Sequence, residues 1–134
     1  MVRFTIGMLI LGAAAACAAS IDGKWVSHTQ VGDADGKTYP MTITYTFKTN
    51  GDSLTGTIVQ VSDANWMKGR SGQPFEISDG KVDGDKFSFK LKFETTTGEK
   101  TAVYQGTVEG DQLKGTIKYR GIGITQPLEA SRAK

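Results

Sequence analysis

The chain has one cysteine, one histidine and three prolines in 134 residues. A single thiol permits no internal disulfide, and one thiol with one imidazole is too few ligands for a tetrahedral zinc site. His28 would need an orienting carboxylate and a nucleophile in reach to serve as a base in acyl transfer, and no Gly-x-Ser-x-Gly or comparable frame is present. A lone histidine at a strand end fits a surface or capping role better. No glycine-rich phosphate loop leads into Lys and Ser or Thr, so nothing points to nucleotide use, and no cofactor is implied. Charge of one sign is also lacking. Sixteen basic and fourteen acidic residues are mixed along the chain, for a net +2. That balance argues against a nucleic-acid binder or a strongly cationic membrane-surface protein.

A long apolar run is missing as well. The most hydrophobic stretch is the start, where Met1-Val2-Arg3 precedes apolar Phe4 to Leu11 and then Gly12-Ala13-Ala14-Ala15-Ala16-Cys17-Ala18-Ala19. A basic end, a short apolar segment and a small-residue cleavage site are the parts of a secretory signal peptide. The apolar part is shorter than the roughly 20 residues of a membrane span. We expect residues 1–19 to be removed, leaving a single domain over 20–134 that is secreted or periplasmic and has no transmembrane span. Ala14-Ala15-Ala16-Cys17 partly resembles the lipobox of bacterial lipoproteins, with alanine where a large aliphatic residue is usual. Acylation of Cys17 is therefore the alternative, and one chain would anchor only with help. Cleavage leaves fifteen basic against fourteen acidic residues and no cysteine. A domain of this size buries about two-thirds of its unfolded surface and needs no staples.

What the sequence does have is turn punctuation. Asn50-Gly51-Asp52, Asp83-Gly84-Asp85 and Glu109-Gly110-Asp111 each stand between runs of alternating apolar and polar residues. Such a triplet marks a tight β-hairpin, because glycine takes the positive φ that the turn requires. Met41, Ile43, Tyr45 and Phe47 alternate with polar residues, as do Phe87, Phe89, Leu91 and Phe93, and Leu113, Gly115, Ile117 and Tyr119. Each strand then has one buried and one wet face. Further strands are expected near 24–27, 54–61, 75–78, 102–108 and 127–132, about eight in all, with loops over 28–40 and 62–73. No helical period is convincing beyond the leader. Eight antiparallel strands in sequence dispose of their edges by closing into an up-and-down barrel. Gly56, Gly106 and Gly115 inside strands fit sharp bends in a closed sheet, although they could also mark bulges in a sandwich.

Gly23-Lys24-Trp25 on the first strand resembles the Gly-x-Trp that opens the lipocalin and avidin families, the calycins. The resemblance implies that Trp25 closes the bottom of the barrel and that a basic residue from the last strand, here Arg132, packs over it. Leu54-Thr55-Gly56-Thr57 is similar to the second strand of avidins, and the Gly-Asp-x-Leu-x-Gly-Thr rhythm resembles small exported bacterial barrels of unknown function. The chain has no Thr-Asp-Tyr-like motif, is shorter than lipocalins, and has only Trp66 beyond Trp25, too few tryptophans for an avidin biotin site.

Trp66 lies among polar neighbours in 62–73, where a loop on a rigid scaffold is a common place for binding residues. With Asn65 and Arg70 it could stack on a sugar or cover a pocket mouth, or with Met67 it could tuck under the loop. Asp33-Ala34-Asp35-Gly36 lacks the further ligands of a calcium loop and is more simply a polar turn. The function expected is that of a binding protein for an apolar or sugar-like small molecule. Tyr45, Phe89, Tyr104 and Tyr119 are the candidate lining, and Trp66 with Arg70 the gate, because ligand sites favour apolar concavities with a few polar groups. The facing of Tyr104 is open, since Val103 competes for the core. An interaction module with a solid barrel acting through its loops is the second hypothesis. A small enzyme using His28 or a carboxylate is the third.

Overall fold

Three hairpins set the architecture. The computed structural model describes residues 20–95, 97–121 and 123–133; residues 1–19, where a leader, its cleavage and Cys17 acylation were considered, lie outside the described residues. Strands β1 (Gly23–Gly32), β2 (Thr38–Asn50), β3 (Ser53–Ser62), β4 (Pro74–Glu76), β5 (Ser78–Asp83), β6 (Lys86–Thr95), β7 (Gly98–Glu109), β8 (Gln112–Tyr119) and β9 (Ile124–Arg132) follow one another, with a single 3-10 turn at Asn65–Met67. Asn50 pairs with Ser53, Asp83 with Lys86 and Glu109 with Gln112. Each turn is therefore a glycine and an aspartate, and Gly51, Gly84 and Gly110 have φ of 65°, 64° and 64°. Asp79 is the one described non-glycine residue with positive φ, so glycine leads each hairpin turn in the type II′ manner. The residue before it ends the strand and needs no special backbone.

Neighbouring strands pair antiparallel all the way round, β2-β1-β9-β8-β7-β6-β5-β3, and β2 pairs with β3 to close an eight-stranded barrel, with β4 as one extra short strand on β3. The single strand expected at 75–78 is in fact β4 and β5, broken at Ile77, whose N–H reaches the Gly56 carbonyl. The expected loop 28–40 shrinks to 33–37. His28, Thr29 and Gln30 are exposed yet pair with β2. Backbone pairing needs no apolar face, and at this end both faces of β1 meet water, so the alternation that marks a strand in sequence is lost.

The seam between β1 and β9 is short. It consists of the pairs Ser131 with Val26 and Arg132 with Trp25, plus Ala133 donating to the Lys24 carbonyl at 2.9 Å. Beyond it β1 from Ser27 onward pairs with β2, and β9 before Ser131 pairs with β8. Pro127 lies on that free stretch, where a missing N–H costs least.

The closed end is plugged. Trp25 has no exposed surface, and its indole N–H donates to the Ile21 carbonyl at 2.9 Å. The Arg132 guanidinium lies 4.1 Å from the centre of the Trp25 ring. It also donates to the carbonyls of Ser20 (2.9 Å) and Asp22 (3.1 Å) and to the Asp111 carboxylate (3.1 Å). Asp22 in turn accepts from the Thr49 amide at 2.7 Å. One guanidinium thus satisfies backbone groups of the entering chain and covers the ring that seals the barrel.

Above this floor an aromatic column fills the lower half. Phe47 and Phe89 are 5.4 Å apart, Phe89 stacks on Tyr104 at 4.5 Å, and Tyr45 meets Tyr104 edge-on at 6.5 Å. On the same wall as Tyr104, Gly106 and Gly115 pair directly and let β7 and β8 approach closely. A Cβ on Gly115 would lie 1.9 Å from the Gln105 carbonyl oxygen, and one on Gly56 would lie 2.1 Å from that of Thr46. These positions need glycine because coiled neighbouring strands approach there.

Two outcomes follow for chemical denaturation. Trp25→Ala is expected to lower stability by about 3–5 kcal/mol, the usual loss for a buried large aromatic, and a change near zero would contradict its role as the plug. Gly115→Ala is expected to cost at least about 2 kcal/mol through forced backbone displacement, whereas Gly36→Ser on the exposed 33–37 turn should cost less.

Candidate functional site

The plug does not reach the open end. Above Tyr104 the barrel holds a cavity of about 730 Å³, within the range of small-molecule sites. Its wall is built from the upper parts of the strands, with Met41 from β2, Leu91 from β6, Ala102 from β7 and Phe75 from β4 supplying apolar surface. Tyr104, Tyr119, Gln60 and Gln126 add polar groups. The mouth is edged by Trp66, Lys68 and Arg70 from the 62–73 loop and by Glu94 and Glu99 across the β6–β7 hairpin.

The structure divides the six candidate ligand residues. Trp66, Arg70, Tyr104 and Tyr119 line the cavity. Tyr45 and Phe89 do not; each is 1% exposed and packed in the aromatic column beneath it. Their positions on the strands lie closer to the plugged end, and alternation reports which face a residue occupies but not its height in the barrel. Tyr104 faces inward at 3% exposure, directly opposite Phe89 in the β6–β7 ladder. Gln60 and Gln126 were missed as lining. The signal was available, since both are polar residues on the inward parity of their strands, two positions from buried Ile58 and Leu128.

The 62–73 loop is tied down rather than open. The Met67 amide donates to Ala64, those of Arg70 and Ser71 donate to Met67, and Gly72 donates to Gln60 on β3. Ser71 Oγ accepts from the Ser62 amide at 3.1 Å, and Met67 is buried. Trp66 remains 48% exposed, but its indole N–H donates to the Gly32 carbonyl at 2.9 Å. Met67 therefore does the tucking and Trp66 spans from the loop to the β1–β2 hairpin at the mouth.

The remaining candidates are structural. His28 is exposed, and its Nδ1 lies 3.4 Å from the Thr42 hydroxyl, with no carboxylate contact among the described residues. Asp33 accepts from the amides of Asp35 and Lys37 at 2.9 and 3.0 Å and from the Tyr39 hydroxyl at 3.0 Å, which makes it the organiser of a turn. No group of three or more metal-ligating side chains gathers among the described residues. Among the same residues no helix is long and apolar enough to cross a membrane.

Burial pushes the phenols of Tyr45 and Tyr104 well above their usual value; for Tyr45 the nearby Tyr119 adds to this, and for Tyr104 both Tyr45 and Tyr119 do. Burial also raises Tyr119, less enclosed at the cavity wall. All three stay neutral donors throughout the physiological range. Compared with family models, curated proteins and solved structures, the chain matches none.

A phenol whose pKa is raised on folding binds its proton more tightly in the native state, so stability is intact below the unfolded value of about 10 and is lost as pH rises above it. In an alkaline titration followed by phenolate absorbance, Tyr45 and Tyr104 are expected to ionise only together with unfolding. Smooth ionisation of all four tyrosines near pH 10 without loss of structure would show that the two rings are accessible.

Proposed function

We propose that this protein is an exported small-molecule carrier of calycin type, sent out by the 1–19 leader, which holds a mainly apolar ligand in the upper half of the barrel. The observation that carries this is the cavity of about 730 Å³ at the open end, lined by apolar side chains with a few neutral polar groups. Enclosure by a rigid sheet supplies a preformed site, so little ordering cost opposes binding. The Gly-x-Trp start and the Arg132 guanidinium over Trp25 support the calycin comparison, since that is the floor the resemblance leads one to expect. The cavity favours this reading over a module working through its loops, whose premise is a filled barrel.

Native mass spectrometry of protein exported through its own leader tests this first. Extra mass that disappears on denaturation is the expected result, and the same spectrum reports whether Cys17 has been removed or acylated. For protein stripped of ligand, an apolar environment-sensitive fluorophore is expected to bind with a micromolar Kd and to quench Trp66 while leaving buried Trp25 unchanged. Ala102→Leu, which adds volume at a fully buried position of the cavity wall, should weaken that binding at least about tenfold, the effect of losing roughly 1.4 kcal/mol, at an overpacking cost of about 1–3 kcal/mol in stability. Absence of both retained mass and fluorophore binding would contradict the carrier role.

A further inference from the structure

Tyr104 is the deepest polar group of the cavity wall. It is 3% exposed, it lines the cavity, and its hydroxyl has no hydrogen-bond partner among the described residues. Tyr45, whose ring meets that of Tyr104 edge-on at 6.5 Å, likewise has no partner for its hydroxyl among them. Tyr119 is the diagonal cross-strand neighbour of Tyr104 on the same face, because Tyr104 pairs with Ile117 two residues before it. Its hydroxyl donates to Gln126 Oε1 in a long bond of 3.3 Å. Buried hydroxyls are rarely left without a partner, since desolvation of an unmet donor is costly. Tyr104 thus brings an unmet phenol to the cavity wall, with the weakly engaged Tyr119 on the same wall and the ring of Tyr45 packed beneath.

The charge around them limits what can complete the set. The cations that line the cavity, Lys68, Arg70 and Lys92, come from the mouth loop and the upper part of β6, and the tyrosines are neighboured by Met41, Leu91, Ala102 and Ile117. An ionised carboxylate or phosphate driven to this depth would be desolvated with no opposite charge beside it. A neutral oxygen accepts a hydrogen bond from the Tyr104 phenol at no such cost.

We propose that the cavity takes its ligand head first, a neutral carbonyl-type oxygen accepting a hydrogen bond from Tyr104 while the apolar remainder fills the space up to Trp66. The inference rests on the carrier reading and adds to it the chemistry of the buried end. Tyr104 is a specificity-determining residue in this scheme, and Tyr119 is a second phenol on the cavity wall.

The test uses two probes of nearly the same shape, benzophenone and diphenylmethane, titrated into the full mature protein with Trp66 fluorescence as the readout. Diphenylmethane is the more hydrophobic, so burial alone favours it. The expected result is that benzophenone binds about tenfold more tightly, the ratio that one hydrogen bond of roughly 1.4 kcal/mol provides, and that Tyr104→Phe brings the ratio down to one or below. The carbonyl stretch of bound benzophenone should shift to lower frequency in the wild type, and this shift should be lost in the variant. Equal or weaker binding of benzophenone by the wild type would overturn the head-first scheme and leave the carrier role standing. An unchanged ratio and an unchanged carbonyl band in Tyr104→Phe would overturn the assignment to Tyr104. Binding of neither probe would overturn the scheme together with the carrier role.

Discussion

Closure of the barrel depends on Arg132 and Trp25 meeting across a seam of two residue pairs. Every other pair of neighbouring strands from β6 to β9, and from β1 to β3, runs for most of the strand length. Between the first and last strands the sheet has little backbone pairing with which to hold itself shut. A ring with no exposed surface and a guanidinium bonded both to the entering chain and to the β7–β8 turn supply the closure instead. Of the contacts around Arg132, the ion pair to exposed Asp111 is the least valuable, since water screens it. The bonds to the Ser20 and Asp22 carbonyls matter more, because they fix chain that enters from outside the sheet.

From that floor the interior can be followed upward. Trp25 and Phe47 occupy the bottom, Phe89, Tyr45 and Tyr104 the middle, and the glycines of β7 and β8 let the wall come close enough to enclose them. Aromatic rings fill the lower space with few side chains and few rotatable bonds. Higher up Phe75, Phe93 and Tyr119 stand on the cavity wall instead of filling the interior, and the space opens above the stacked rings of Phe89 and Tyr104. The cavity is thus the complement of the plug, and its lower boundary is set by the height at which Tyr104 sits.

Much of the fold was legible because hairpin turns and alternation are local properties. Asn50-Gly51-Asp52 and its two counterparts mark three of the hairpins, and the faces of β2, β6 and β8 follow from period two. The alternation stopped being informative where both strand faces are wet, at residues 28–30, and where one strand breaks, at Ile77. The site was harder to read. Parity put Tyr45, Phe89, Tyr104 and Tyr119 on the inner face together, but which of them reach the cavity depends on stagger between strands, and stagger is a property of the closed sheet. Trp66 could be singled out from its polar surroundings. The bond from its indole to the Gly32 carbonyl joins residues 34 positions apart, and nothing local announces it.

The short seam has a further meaning for how such a molecule can change over time. Because closure is concentrated at the Trp25 end, the free stretches of β1 and β9 and the loops above them bear little of the cost of holding the sheet together. Sequence in that upper half is then released to vary, altering aperture and chemistry without endangering the fold. One robust base can serve in this way as a chassis for many different apertures.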